Sequence, residues 1–395
     1  QADRACSSRG LRSGRDGRFA WSRRIRYDAP RMSLSVGIVG LPNVGKSTLF
    51  NALSSKQAEA ANYAFCTIEP NVGVVPVPDA RFDALVKVVE PEHTVPATVD
   101  FVDIAGLVRG ASKGEGRGNA FLSNIRECDA IAHVVRCFED DNILHVDNRV
   151  NPADDVATIH TELILETVQK RLDRARRASR GSNAAEKAVV ALCERLEKLL
   201  DGGQLASSLV PESDDEAKLL RELQLITSKP LFYVCNVKET QLAAVDDDPL
   251  VQQVRAIADA EHAPYVVICA AIEAEIMQLP VSERGEFLSS IGLEQPGLNR
   301  VIQTGYEMLD LITYFTAGKR EVRCWTIKRG TKAPQAAAKI HTDFERGFIK
   351  AEVTWWEDRV SLKTEAACRL AAKTATEGKD YVVRDGDVIY FRFNV

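Results

Sequence analysis

Residues 40–48 read GLPNVGKST, and the fold turns on whether this stretch is a phosphate cradle. The pattern GxxxxGK[ST] is met at Gly40, Gly45, Lys46 and Ser47. A cradle needs backbone N–H groups turned inward at the start of a helix, behind a strand that holds the loop rigid. Both flanks are present: Ser35 to Val39 (SVGIV) is a short β-branched apolar run, and Thr48 to Leu53 (TLFNAL) opens with helix formers. Asn43, Val44, Gly45, Lys46, Ser47 and Thr48 are thus the expected nucleotide-binding loop, with Lys46 on the β and γ phosphates and the Ser47 hydroxyl on Mg²⁺.

Three further blocks test that reading. DIAG (103–106) closes an apolar run, where Asp103 is expected to hold the Mg²⁺ hydration shell and the Gly106 N–H to sense the γ phosphate. YAFCTIEPN (63–71) contains Thr67, a candidate Mg²⁺ ligand that covers the nucleotide only in its triphosphate state. Cys66 beside it reads either as a small packed hydrophobe or as a reactive thiol. NVKE (236–239) ends a later run, where GTPases carry NKxD. With Val237 for the Lys and Glu239 for the Asp after Asn236, the acceptor for guanine N1–H is compromised and the barrier to adenine falls.

Apolar runs at Val72 to Val77, Thr98 to Asp103, Ala130 to Arg136, Leu231 to Asn236 and Tyr265 to Ala270 alternate with helical stretches. They predict an α/β fold with a mostly parallel, helix-covered sheet whose strand ends carry the site. Residues 152 to 200 lack strand signals. Leu165, Val168, Leu172 and Ala175 and then Val189, Leu192, Leu196 and Leu199 form helical stripes either side of SRGSN (179–183), an inserted antiparallel hairpin whose first helix is expected over 152–178. Beyond about 312 the chain turns strand-rich and aromatic around a helix near Ala333 to Phe344, a small α+β unit, with Tyr381 to Phe393 expected as a hairpin turning at DGD. The expected boundaries are a leader (1–31), the nucleotide domain in two parts (32–150 and 206–311), the helical insertion (151–205) and the C-terminal unit (312–395).

Composition sets limits. The leader holds nine Arg against three Asp and reads as an upstream extension or as a targeting segment, while the whole chain carries a net charge of −5, so the rest is more acidic still. A surface that coats nucleic acid is not expected, and DNA is not an expected partner; an RNA contact has to come from a local patch, for which KREVRCWTIKRGTK (319–332), with Trp325 as a stacking group, is the candidate. Nine scattered cysteines without a CxxC disfavour disulfide and zinc frameworks and suit a reducing cytoplasm. No apolar run reaches transmembrane length, so no membrane is expected.

Taken together, GLPNVGKST, FCTIEPN, DIAGLVRGASKGEGRGN, the Asn-x-x-Glu base motif and IHTDFERGFIKAEV resemble the YchF subfamily of Obg-like ATPases from Met32 to Val395. The resemblance implies a Ras-like P-loop domain, a coiled-coil insertion and a C-terminal TGS domain of ubiquitin-like β-grasp fold. It implies ATP in preference to GTP, and the ribosome, through rRNA or ribosomal proteins, as partner. In place of the water-orienting Gln that small GTPases carry after DxxG this chain has Leu107. The resemblance offers two substitutes: K⁺ held at Asn43, and His145 of DNILHV (141–146) near the γ phosphate. Two other functions fit the same motifs, a ribosome-binding module gated by nucleotide occupancy with incidental hydrolysis, and a true GTPase.

Overall fold

The computed structural model describes residues 34–60, 71–104, 117–172, 175 and 184–394. β1 (Ser35–Val39) feeds the GLPNVGK loop into α1 (Lys46–Ala60), and β2 (Val72–Pro76) follows. Asp79 caps α2 (Ala80–Val89) by accepting from the Arg81 N–H. Next come β3 (His93–Val95), β4 (Thr98–Asp103), α3 (Arg117–Glu127) and β5 (Ala130–Arg136). α4 (Pro152–Glu166), with Asn151 as its cap and Pro152 opening it, runs into a π-helical segment, Thr167–Leu172. α5 (Ala184–Asp201), α6 (Asp214–Leu223), β6 (Leu231–Asn236), α7 (Pro249–Glu261), β7 (Tyr265–Ile268), α8 (Ala270–Gln278), α9 (Val281–Ser290) and α10 (Gly297–Met308) complete this part.

The first sheet has the order β2-β4-β1-β5-β6-β7, parallel except where β2 runs against β4. Every residue of β5 and β6 is buried, which is why both read as unbroken apolar runs rather than alternating ones. Because the strands are parallel, the loop after β1, Asp103 at the end of β4, Arg136 at the end of β5 and Asn236 at the end of β6 all emerge on one rim.

The C-terminal unit contains β8 (Leu311–Ala317), β9 (Glu321–Lys328), α11 (Ala333–Ile340), α12 (Thr342–Arg346), β10 (Phe348–Trp355), α13 (Trp356–Leu362), α14 (Glu365–Leu370), β11 (Thr374–Glu377) and β12 (Asp387–Phe393). Its sheet order is β11-β10-β12-β8-β9-β3, with β12 parallel to β8 between two antiparallel pairs. Ala333, Ala336 and Ala337 of α11 pack on Ile312, Tyr314 and Phe391. A helix gripped across a mixed sheet of this order is the β-grasp arrangement.

Three details depart from expectation. Tyr381 to Phe393 is not a hairpin: Val382 makes an isolated bridge to Lys332, and Asp387 Oδ2 accepts from Tyr381 Oη and Arg384 N, folding the DGD region into a turn that delivers β12 to β8 instead. The first helix of the insertion keeps α geometry only to Glu166 before widening to π geometry, and 179–183 lies outside the described residues. Val168, Leu172, Ala175, Val189, Leu192, Leu196 and Leu199 share one apolar cluster as the stripes predict, with Ile164 in the place expected of Leu165. Finally, β3 comes from the N-terminal half yet pairs with β9, so the two sheets are laced together, and Leu311, Phe315, Val322, Cys324 and Val388 belong to the same core as Val36 and Phe101.

Candidate nucleotide site

The loop is held open by backbone that only glycine tolerates. A Cβ on Gly40 would lie 2.4 Å from the Val134 carbonyl oxygen, and on Gly45 (φ +99°) 2.2 Å from Asn236 Nδ2. Asn43 adopts a left-handed φ of 62° at the crest. Val44 is buried, whereas Ser47 and Thr48, at the first turn of α1, are exposed. Asn236 straps the loop from behind: its Nδ2 donates to Val44 O at 2.9 Å, and its Oδ1 accepts from Ala270 N at 3.0 Å, where α8 begins.

Lys46 is 7% exposed and donates to the loop's own Leu41 carbonyl at 2.6 Å. Burial pushes its ammonium down to about 8, opposed by the Asp103 carboxylate. Asp103 is pushed up by the same burial, with Lys46 opposing. A cation and a carboxylate lean on each other at a partly dry rim. A triphosphate would supply the anion that Lys46 lacks, and a hard divalent cation the charge that Asp103 lacks; hydroxyl and carboxylate oxygens are the donors Mg²⁺ takes.

The base motif divides its work. Val237 is buried and its N–H donates to Ile268 O at 2.9 Å, so its side chain belongs to the core. Glu239 is exposed and opens a 3-10 segment, Glu239–Asp247. Lys238 pairs with Asp140 at 3.2 Å, and Gln241 Nε2 donates to Cys137 O and Asp248 Oδ2, tying this turn to the loop after β5.

That loop, 137–151, is built around Arg136. The side chain is buried and its guanidinium donates to the carbonyls of Phe138 (3.0 Å), Ile143 (2.9 Å) and Asp140 (3.3 Å). The next carbonyl, Leu144 O, accepts from Asn43 Nδ2 at 3.0 Å, which joins the loop to the crest of the P-loop. His145 itself turns inward. Its Nε2 is 3.0 Å from Asp155 Oδ2 on α4 and its Nδ1 accepts from Asp147 N at 3.2 Å. The N–H donated to Nδ1 fixes the tautomer: the proton sits on Nε2, which donates to Asp155. His145, Asp147 and Asp155 lie within 4.8 Å of one another, as metal ligands would. With Nδ1 engaged as an acceptor, however, Nε2 has no lone pair to offer a metal.

The structure thus brings Asn43, Val44, Gly45, Lys46, Ser47 and Thr48 together with Asp103 and Asn236, and sets the His145 segment beside them while keeping the His145 ring turned away. Thr67, Gly106, Cys66 and Leu107 lie outside the described residues. Sequence reasoning missed Arg136 and Asp155. The helix-start signal NPADD (151–155) puts Asp155 in the first turn of α4, but nothing in its spacing from His145 says that the two side chains meet. Trp325, the candidate stacking group, is committed to the fold: its Nε1 donates to Thr316 Oγ1, Arg323 lies 4.3 Å over its ring, and Tyr314 is stacked at 6.3 Å.

The chain is similar to known proteins over most of its length. A family model described as 50S ribosome-binding GTPase matches residues 35–170, and the model YchF-GTPase_C, described as a protein of unknown function, matches residues 311–394. The ribosome-binding ATPase YchF of Escherichia coli O157:H7 is 53% identical over 92% of this chain and its own full length, and that of Bacillus subtilis 50% identical over the same shares. The solved structure of the Schizosaccharomyces pombe YchF GTPase is 39% identical and covers 91% of this chain and 98% of its own, with a TM-score of 0.82.

Proposed function

We propose, from the fact that this chain belongs to the YchF family of P-loop nucleotide hydrolases, that it is a Mg²⁺-dependent ATPase of the cytoplasm whose nucleotide state sets its association with the ribosome. The observation that carries the reading is the rim itself: Lys46 and Asp103 set against each other beneath a loop strapped by Asn236, with Glu239 where a guanine-binding Asp would stand. ATP and the ribosome come from the names of the relatives, and no helix among the described residues is long and apolar enough to cross a membrane.

In this reading Lys46 and the loop N–H groups from Val44 to Thr48 bind the phosphates, and Lys46 exchanges Leu41 O for a phosphate oxygen. Ser47, Asp103 through water and Thr67 would hold Mg²⁺, which would supply positive charge to offset that developing on the phosphate oxygens. Gly106 reports the γ phosphate. The Asn43 amide oxygen is the proposed K⁺ ligand. Asn236, Val237 through its backbone and Glu239 define the adenine side. His145 is the proposed group that orients the attacking water, in place of the Gln that Leu107 replaces. Residues 151–205 are read as a coiled-coil insertion whose first helix, α4, packs on the nucleotide domain through Val156, Ile159 and Leu163, and 312–395 as a TGS domain.

Hydrolysis of ATP and GTP measured in single turnover, with and without ribosomes, tests the proposal. Preference for ATP and stimulation by ribosomes is the expected result. Tighter binding of GTP would favour the GTPase reading, which the names of the fission-yeast structure and of the N-terminal family model keep open. Ribosome binding that follows nucleotide occupancy with negligible turnover would favour a gated binding module.

A further inference from the structure

We infer that Asp155 is a positioning residue that holds His145 in a resting conformation, and that the hydrogen bond from Asn43 to the Leu144 carbonyl ties release of His145 to the state of the P-loop. This rests on the reading of His145 as the water-orienting group and adds to it the contact that regulates that group.

The resting state is fully satisfied. The His145 side chain is 3% exposed, as is that of Asp155. Its two ring nitrogens are both spent, Nε2–H on Asp155 Oδ2 and Nδ1 on the Asp147 N–H. A ring in this state can neither accept a proton from water nor donate one to phosphate. To act it has to leave both partners, and the contact with a carboxylate is the stronger of the two.

The surroundings show where the movement takes place. Arg136 fixes the carbonyls of Phe138, Asp140 and Ile143, so the first half of the loop is anchored to the end of β5. At the far side Asn151 caps α4 and Arg149 pairs with Asp154, anchoring the second half. Between these anchors lies a four-residue turn, closed by Asn148 N on His145 O at 3.1 Å, with Asn148 at a left-handed φ of 53°. Leu144, immediately before the turn, is 75% exposed and Val146 47% exposed, so the turn carries apolar side chains in solvent while its histidine is buried. A link from this turn to the P-loop is made by Asn43, at the crest where phosphates and a K⁺ ion would be met. When Asn43 turns to those ligands it gives up Leu144 O, and the His145 ring then keeps its tie to α4 through the Asp155 contact.

Asp155 is in the first turn of α4, so a substitution there also touches helix stability. Two variants separate the roles. Asp155→Asn keeps an acceptor oxygen but not the charge, and Asp155→Ala removes the contact. The proposal expects ATP turnover by the full chain to rise in the order wild type, Asp155→Asn, Asp155→Ala, by about tenfold at the end of the series, with KM within about twofold. The ¹⁵N signals of the His145 ring in the nucleotide-free protein are expected to move from a single Nε2–H tautomer toward the averaged pattern of a free imidazole. The same ring signals in wild type are expected to shift the same way on adding a non-hydrolysable ATP analogue, and Asn43→Ala to produce part of that shift without nucleotide. If His145→Ala leaves turnover unchanged, the catalytic reading of His145 fails and this inference with it. If His145→Ala abolishes turnover and Asp155→Ala lowers kcat as well, Asp155 orients the ring for the reaction and only the inference is overturned. Ring signals unmoved in folded Asp155→Ala overturn it on structural grounds alone.

Discussion

Asn236 shows how little of a residue's work its type reveals. As the first residue of a base motif it is expected to face the nucleotide, yet its amide is spent on Val44 O and Ala270 N, two backbone groups of different elements. Asn236→Ala removes both bonds and leaves a buried carbonyl and a buried N–H unpaired, at a cost of about 3 kcal/mol. Urea unfolding is expected to show that loss, with nucleotide affinity falling in parallel. Asn236→Asp keeps one of the two bonds and is expected to fall between. Glu239 is the complementary case. It is exposed and free to read a base, whereas a Lys at position 237 would enter the core. Glu239→Asp is therefore the substitution expected to raise GTP affinity relative to ATP, by about tenfold, read from the two dissociation constants.

Among the elements, those whose burial leaves a period in the sequence were legible and those shaped by a few polar contacts were not. β1 and β4 to β7 match the predicted apolar runs because both faces of a parallel strand are covered, whereas β2, an antiparallel edge strand, is buried only at alternate residues. The π turn at Thr167 was invisible, since it follows from single contacts: Thr167 Oγ1 bonds Leu163 O at 2.9 Å and meets Thr227 Oγ1 at 3.1 Å, competing with the helix's own ladder beside the Arg126–Glu166 pair. The P-loop, Asp103 and Asn236 were found through spacing, while Asp155 was not, because contact between loop and helix has no period. α4 carries one more such contact. His160 sits against Tyr233 Oη at 3.1 Å, which in turn donates to Glu261 at 2.7 Å, and burial pushes the imidazole down to about 4. His133, fully buried beside it, is pushed down by burial as well. Both groups bind protons more readily in the unfolded chain, so stability falls as pH drops from 6.5 towards 4, by about 3 kcal/mol for His160 alone. His160→Gln, which can still bond Tyr233, is expected to make the acid limb of a stability–pH curve shallower by about one proton.

Across the whole molecule, the β-grasp unit behaves as part of the nucleotide domain's core rather than as an appendage. Arg81 reaches from α2 to Asp385 at 3.0 Å and lies 5.6 Å over Phe315; Lys319 Nζ donates to Val89 O; Tyr306 of α10 bonds Thr313 of β8. One cooperative thermal transition is expected for the full chain. Arg81→Ala should lower its midpoint, at a cost of about 2 kcal/mol, without splitting it; two separate transitions would show that the units unfold independently. At the end of β9, Lys328 and Arg329 are exposed, with Arg329 Nε donating to Oδ1 of the exposed Asp310 at 3.2 Å. Reversing both charges is expected to weaken ribosome co-sedimentation and flatten its salt dependence.

The pairing of β3 with β9 also bears on how the chain is made. His93–Val95 leaves the ribosome some 230 residues before Glu321–Arg323, its partner. At about 5–20 residues per second this is a wait of roughly 10–45 s. Through that interval β3 is an unpaired strand, and the core residues that Phe315 and Val322 will cover are open to water. The newborn chain is therefore most exposed to misassociation before its last eighty or so residues emerge, and closing of the second sheet is the step that ends its vulnerability.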